Sequence, residues 1–159
     1  MLREDSENKM IAVLQRVSSA KVVSNGVLTG DIGAGLAILL GVCQGDQEID
    51  ADVLSAKIAK LRIFNDENDK MNLSVLDING SAIVVSNFSL CANYKHGNRP
   101  DYLNAEQPQR ANELYEYFVS KLKEYIPDVQ TGVFGAKMSY TIENDGPITI
   151  VMDSKILLK

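Results

Sequence analysis

Residues 11–17 alternate between apolar and polar side chains, imperfectly but near the period of two that a strand requires, and lead through Ser18 and Ser19 into residues 21–24. Asn25-Gly26 then supplies two residues that tolerate positive φ, so the opening stretch predicts a strand pair joined by a tight hairpin. Residues 36–43 are a continuous apolar run following Gly33 and Gly35. Too short for a helix, the run predicts a central strand buried on both faces. Beyond it the period changes: Val53, Leu54, Ile58 and Leu61 recur at helical spacing, Glu48 suits a first turn and Asp46 is a good N-cap, which predicts a helix over about 47–62. A polar turn at 65–70 and Asn79-Gly80 bracket a short segment, 71–76, and the β-branched stretch 82–90 predicts another strand.

Residues 91–107 lose this periodicity and carry Lys95, His96, Gly97, Asn98 and Arg99 ahead of Pro100, the composition of a long surface loop. Pro108 fits the first turn of a second helix, whose stripe Leu114, Phe118, Leu122 and Ile126 is stopped by Pro127. Residues 129–134, 139–143 and 148–152 predict three further strands, the last two joined by Asn144-Asp145-Gly146-Pro147. Strands gathered at both ends of the chain around two separated helices, without regular βαβ alternation, predict an α+β fold. Its sheets are expected to be mostly antiparallel or mixed, in a barrel-like arrangement with two main helices.

Composition narrows the functional classes. A chain of 159 residues, 45% hydrophobic, suits one domain, expected over 10–159; residues 1–9 are polar and acidic and read as a loose leader with no secretory character. No apolar run approaches the roughly 18 residues of a membrane helix, so no membrane partner is expected. Cys43 and Cys91 lie far apart with no C-x-x-C spacing, which argues against a zinc ribbon, a redox pair or a disulfide scaffold and favours a reduced cytoplasmic setting. A single histidine, His96, rules out a multi-histidine metal site, and no metal or cofactor is expected. The net charge of −5 disfavours a protein that wraps long nucleic acid and leaves room for a local basic patch.

Three segments can carry chemistry. In an extended strand, Asn87 and Ser89 point to one face and Ser86, Phe88 and Leu90 to the other, so an amide and a hydroxyl face a common space; alternatively they only meet solvent at a strand end. Asn144-Asp145-Gly146-Pro147 reads as a turn, or as a rigid display of backbone acceptors. Lys95 and Arg99, flanked by Tyr94 and Tyr102, suit the phosphates and bases of a single-stranded RNA end as well as they suit a solvated loop.

Five segments in order resemble the bacterial and eukaryotic D-aminoacyl-tRNA deacylase family over the chain beyond Met10: the opening strand Ile11-Ala-Val-Leu-Gln-Arg-Val17, Lys70-Met-Asn-Leu-Ser-Val75, Val84-Val-Ser-Asn-Phe-Ser-Leu90, Gly132-Val-Phe-Gly-Ala-Lys-Met138 and Asn144-Asp-Gly-Pro-Ile-Thr149. The resemblance implies a homodimer with two active sites at the subunit interface, acting on the 3′ end of tRNA. The catalytic segment would be Ser86, Asn87, Phe88 and Ser89. A chiral gate would be lent by the partner's Gly146 and Pro147, with Asn144, Thr149, Met138, Phe134 and Ala136 lining the substrate. In the family the Gly-Pro bond is cis, and its carbonyl oxygens hold the α-amino group so that an L side chain collides. D-aminoacyl-tRNA, and glycine mischarged on alanine tRNA, would be hydrolysed with help from the ribose 2′-hydroxyl, and the Ser89 N–H or hydroxyl would meet the developing oxyanion. Asn87 stands where the family has Gln, and Ser89 where it has Thr.

Two other readings compete. A serine esterase would use Ser86 or Ser89 with His96 and Asp101, although no G-x-S-x-G elbow is present. The motif departures can also mark a catalytically weakened dimer that binds the tRNA end without turnover.

Overall fold

The computed structural model describes residues 9–159, so the leader expected over 1–9 lies, Lys9 apart, outside the described residues. Lys9 forms an ion pair with Asp153 at 3.5 Å, and Met10 is fully buried. β1 (Ile11–Ser24) is a single strand of 14 residues, and Asn25 (φ 50°) and Gly26 (φ 83°) turn it tightly into β2 (Val27–Ile32). β3 (Gly35–Gly41) is central as expected: Leu36, Ile38 and Leu40 enter the main core, and Ala37 enters a smaller core on the other face.

α1 (Glu48–Lys60) follows. Its N-cap is Gln47 rather than Asp46: the Asp50 carboxylate reaches back to accept the Gln47 N–H at 2.8 Å, and the Gln47 carbonyl accepts the Asp50 N–H at 3.0 Å. Asp46 turns back to accept the Cys43 amide instead. β4 (Phe64–Asn65) and β5 (Met71–Leu73) form a small separate ribbon. β6 (Ser81–Ser86) runs parallel to β3 and carries a 3-10 turn, Phe88–Cys91, at its end. The strand expected over 82–90 therefore stops at Ser86. α2 (Pro108–Lys123) begins on its proline, and Leu114, Phe118, Leu122 and Ile126 are fully buried against the sheet.

β7 (Val129–Thr131) is shorter than the 129–134 expected, and the two last strands prove to be one, β8 (Met138–Asp153), followed by a short third helix, α3 (Ser154–Leu158). The sheet order is β2-β1-β3-β6-β7, with β8 lying antiparallel along the whole of β1. The outer strands β2 and β7 approach each other, with the Asp31 N–H donating to Gln130 Oε1 at 2.7 Å, so the mixed sheet nearly closes into a barrel. Val17, Ala20, Val22, Ile32, Ala37, Ile83 and Val85 form the smaller core, and the main core lies between the sheet and its two long helices. Among the described residues no helix is long and apolar enough to cross a membrane.

Two segments read as separate are tied together. β3 and β6 are parallel neighbours, so the residues just past their ends meet, and Cys43 and Cys91, 48 positions apart, form a disulfide across that meeting point. The argument from cysteine spacing against a disulfide and for a reduced setting is corrected by this: spacing along the chain says nothing about two strand ends that the sheet brings into register.

Candidate active site

The 3-10 turn that follows β6 is built by its own side chains. Asn87 sits at the N-cap with φ −144° and ψ 97°, and its side-chain oxygen accepts the Ser89 N–H at 3.1 Å and the Ser89 hydroxyl as well. Asn87 and Ser89 therefore bond to each other instead of sharing a strand face. Ser89 is exposed and does not line the cleft beside it. Phe88 holds the first amide of the turn, which has no hydrogen-bond partner among the described residues, as expected at a helical start.

Three contacts press this turn onto β3. The Asn87 N–H donates to the Leu40 carbonyl at 2.8 Å, the Cys43–Cys91 bridge closes behind it, and Gly41 leaves room in front. A Cβ on Gly41 would lie 2.8 Å from Leu90 Cβ and 3.3 Å from the Asn87 carbonyl oxygen, inside ordinary contact distance.

The turn forms one wall of an open cleft of about 540 Å³. Ser86, Asn87 and Phe88 stand on that side, Phe134, Gly135, Ala136 and Met138 face them from the segment after β7, and Ala105, Glu106, Gln107, Pro108 and Ala111 close a third side. Two expected segments nearly 50 positions apart are thus brought together. At the mouth Phe88, 59% exposed, meets Tyr102 edge to face, with centroids 4.8 Å apart and planes at 79°. Exposed aromatic rings in this arrangement offer a surface on which a base or an aromatic side chain can stack. Glu106 is the one Asp, Glu, Lys, Arg or His among the cleft's described lining residues, and its carboxylate accepts the Gln107 and Gly45 amides at 2.9 and 3.4 Å. Glu106 and Ala111 escaped the sequence reading, and Tyr102 was named there only as a stacking ring beside the loop, because nothing in the sequence shows which side chains of a loop, or of a helix's first turn, face a cleft.

Gly146, Pro147, Asn144 and Thr149 do not line this cleft. They belong to an irregularity in β8, where Thr149 pairs with Gln15 and Asn144 with Val17, leaving residues 145–148 opposite Arg16 alone. The Gly146-Pro147 peptide is cis, and both residues are exposed. What had read as a turn between two strands is a bulge within one, and its bracing is extensive. Asn144 Nδ2 donates to the carbonyls of Arg16 and Ile148 at 3.3 and 3.0 Å, and its Oδ1 accepts the Ile148 N–H at 3.0 Å. Gln15 Nε2 donates to Thr149 Oγ1 at 3.0 Å.

Arg16, only 7% exposed, reaches outward from the core: its Nε donates to the Asp145 carbonyl at 3.0 Å, and its Nη1 to the Ile63 carbonyl at 2.9 Å and to Asn65 Oδ1 at 3.2 Å. Its Nε also pairs with the Asp145 carboxylate at 3.3 Å, so the guanidinium pins the bulge to the segment after α1 through carbonyl oxygens and an ion pair. Arg16 follows Ala12 and Leu14 at the inward period-two positions of β1, and a charge in that place was the available signal for a positioning role.

Lys95 and Arg99 are exposed and lie outside the cleft lining. His96 is likewise exposed in the loop, and Asp101 Oδ1 already accepts the Leu103 amide, so no Ser-His-Asp arrangement takes shape around Ser86. No group of three or more potential metal-ligating residues occurs among the described residues.

Comparison with known proteins places these features in a family context. The family model described as D-Tyr-tRNA(Tyr) deacylase matches residues 13–153. A D-aminoacyl-tRNA deacylase of Persephonella marina is 58% identical over 148 residues, spanning 93% of this chain and all of that protein. One from Thermosipho melanesiensis is 52% identical over 92% of this chain and 98% of its own length. Among solved structures, a c-Myc DNA unwinding element binding protein superposes with a TM-score of 0.84 at 35% identity, covering 89% of this chain and 97% of that one. A structure described as a "probable eukaryotic D-amino acid tRNA deacylase" reaches 0.80 at 13% identity, over 91% and 99% of the two chains, a likeness of fold.

Proposed function

The chain belongs to the D-Tyr-tRNA(Tyr) deacylase family, and from that premise we propose that its cleft holds the 3′ end of a D-aminoacyl-tRNA while water attacks the ester beside the terminal ribose. The chain is a hydrolase of the aminoacyl-tRNA ester bond. One observation carries the assignment of that chemistry to the cleft: the Ser86-Asn87-Phe88 turn and the Phe134-to-Met138 segment converge on it.

The cleft is poor in side-chain bases, since its one carboxylate is already bonded to two amides. An aminoacyl ester is an activated acyl group, and the neighbouring ribose 2′-hydroxyl can orient or activate water, so the protein's task is placement and hydrogen-bond donation. As water adds to the carbonyl carbon, negative charge grows on its oxygen; the ribose 3′-oxygen then leaves and takes up a proton. The free Phe88 amide is the donor proposed for that charge, because both donors of Ser89 are turned onto Asn87.

Chirality is assigned to the bulge in β8. Gly146 and Pro147 are exposed and lie outside their own chain's cleft, yet Arg16 and Asn144 hold them firmly, which suits a device offered to a second copy. In the proposed homodimer the bulge of one protomer closes the cleft of its partner, its carbonyl oxygens hold the α-ammonium, and an L side chain is rejected by collision. Glycine has no side chain to reject, so glycyl-tRNA(Ala) is admitted as well. Lys95 and Arg99 are proposed to meet backbone phosphates, and the cytoplasm is the proposed setting because the substrate is charged tRNA, the cysteine spacing no longer supporting it.

The decisive measurement compares release of tyrosine from D- and L-tyrosyl-tRNA. The D-ester should be cleaved and the L-ester spared, and equal rates would remove the stereochemical reading. In Gly146→Ala the added Cβ would lie 2.6 Å from the Ile148 nitrogen, at a residue with φ of +146°. Displacing the bulge by about 1 Å should lower the D/L ratio by on the order of 100-fold, and an unchanged ratio would remove the gate from this segment. Because Asn87 engages its oxygen in its own turn, tight retention of D-aminoacyl-tRNA without turnover would favour the noncatalytic alternative.

A further inference from the structure

We infer that a second groove, beyond Phe134, binds the nucleotide on the 5′ side of the terminal adenosine and reads its base as cytosine; this rests on the assignment of the first cleft to the aminoacyl-adenosine end. The groove has a volume of about 440 Å³, and Asn112, Tyr115, Glu116, Lys123 and Thr131 are among its lining residues, with Phe134 common to both sites. Helix α2 continues along both: Ala111 belongs to the first cleft and Asn112, the next residue, to the second. Tyr115 and Phe134, with ring centroids 6.0 Å apart, stand at the divide. The buried Tyr115 hydroxyl donates to the Val84 carbonyl at 2.8 Å, which fixes that ring. A single strand leaving the first cleft over Phe134 enters this groove with an aromatic edge beside it, and unpaired RNA bases are commonly received on such rings.

The chemistry of the two spaces differs. The first cleft carries Glu106 as its one charged lining residue, whereas the second offers Glu116 and Lys123 with the polar side chains of Asn112, Ser120 and Thr131. Glu116 is exposed and makes no ion pair or side-chain hydrogen bond among the described residues. The Asn112 side-chain oxygen is buried in the groove wall with no partner, an uncommon state for a polar atom in a folded protein and one that rotation of the amide relieves when a donor arrives. Two unengaged acceptors suit a base edge that carries an amino group. Cytosine presents its N4 amine to such acceptors, and a carboxylate is a recognised partner for it; uracil turns an acceptor, O4, to the same place. Lys123, near the end of α2, is placed for the phosphate that links the two nucleotides.

The test uses the intact protein and three D-tyrosyl esters: of adenosine alone, of a tRNA minihelix ending C-C-A, and of the same minihelix ending C-U-A. Unaltered protein should show kcat/KM lower by about fivefold or more on C-U-A than on C-C-A, the low end expected for one base-edge contact. In Glu116→Gln, whose amide can donate to uracil O4, that preference should vanish or invert. Asn112→Ala should raise KM on the C-C-A minihelix relative to the adenosine ester. Equal rates on the two minihelices, or a Glu116→Gln preference identical to that of the unaltered protein, would overturn the inference, provided the adenosine ester is cleaved. If all three esters are inert, the first cleft has been misassigned and the second falls with it.

Discussion

Replacing Asp46 with Asn should make the stability of this protein far less sensitive to pH near neutrality. The Asp46 side chain is almost completely enclosed, 1% exposed, beyond the end of β3. Its Oδ2 accepts the Cys43 amide at 2.7 Å, and its Oδ1 has no partner. Burial is the main force on the carboxyl and pushes it from 3.8 up to about 7; the Cys43 amide and Lys155 oppose the rise, while Asp50 and Glu106 add to it. The sign follows from which state holds the proton. Between the ordinary value and about pH 7 the unfolded chain has released it and the folded chain retains it, so stability is fullest at low pH and is lost as pH rises through this interval, at about 1.4 kcal/mol per unit.

From pH 5 to 7 that amounts to as much as about 3 kcal/mol, or roughly 6–12 °C in Tm for a chain of this length. Asparagine keeps an oxygen for the Cys43 amide and cannot ionise. Asp66, Asp77 and Glu48 are held below their ordinary values by hydrogen bonds, so they titrate under more acidic conditions and cancel in the comparison. In thermal melts of the two proteins at pH 5, 6, 7 and 8 the variant should gain on the parent from pH 5 to 7, and the difference should level off by pH 8. Parallel curves would show that Asp46 is ionised throughout, and the account of its burial would be wrong.

Gly41→Ala should uncouple the turn proposed to be catalytic from β3: with Leu90 Cβ 2.8 Å and the Asn87 carbonyl 3.3 Å from the new methyl, the turn must shift. We expect a cost of about 1–3 kcal/mol in stability and a loss of at least about tenfold in kcat on D-tyrosyl-tRNA. Full activity in this variant would mean that the position of the turn does not matter. The Cys43–Cys91 bridge spans 48 positions, so in the chain-entropy account it restrains the unfolded state by at most about 4 kcal/mol. Paired melts with and without reductant, and of the protein with both cysteines changed to Ser, should show a lower Tm whenever the bridge is absent; coincident melts would mean that it contributes nothing.

Much of the architecture was legible because it follows from periodicity and from residues with few conformational choices. The stripe on α2, the hairpin at Asn25-Gly26 and the two-faced burial of β3 each express a local rule that tertiary contacts reinforce. The misreadings share a different cause. Asp46 and Gln47 both stand where a cap is needed, and the place fell to Gln47 because the Asp50 carboxylate takes its N–H while Cys43 offers Asp46 another amide. The strand over 82–90 was broken at Asn87 because that short amide reaches Ser89 two residues on, a local bond that competes with strand geometry and that a pattern of apolar positions does not register.

The same distinction explains which parts of the site were foreseeable. Ser86, Asn87, Phe88, Phe134, Ala136 and Met138 were named from motif segments, and the parallel pairing of β6 with β3 and β7 brings those segments to one cleft. Gly146 and Pro147 were named as well, but a single chain keeps them out of that cleft, since β8 is bound to β1 along its full length. What holds them was the part missed. Arg16 lies on β1 some 130 positions away, and its guanidinium reaches Asp145, Ile63 and Asn65 only because β8 and the segment after α1 flank the same stretch of strand. A buried cation whose one ion pair among the described residues, at 3.3 Å, is to the largely exposed carboxylate of Asp145 within the bulge itself is costly unless its geometry is maintained by everything around it. Its presence at an inward position of a central strand therefore implies that the bulge is rigid by construction, a property that a gate offered to a second copy needs and that an ordinary surface turn does not.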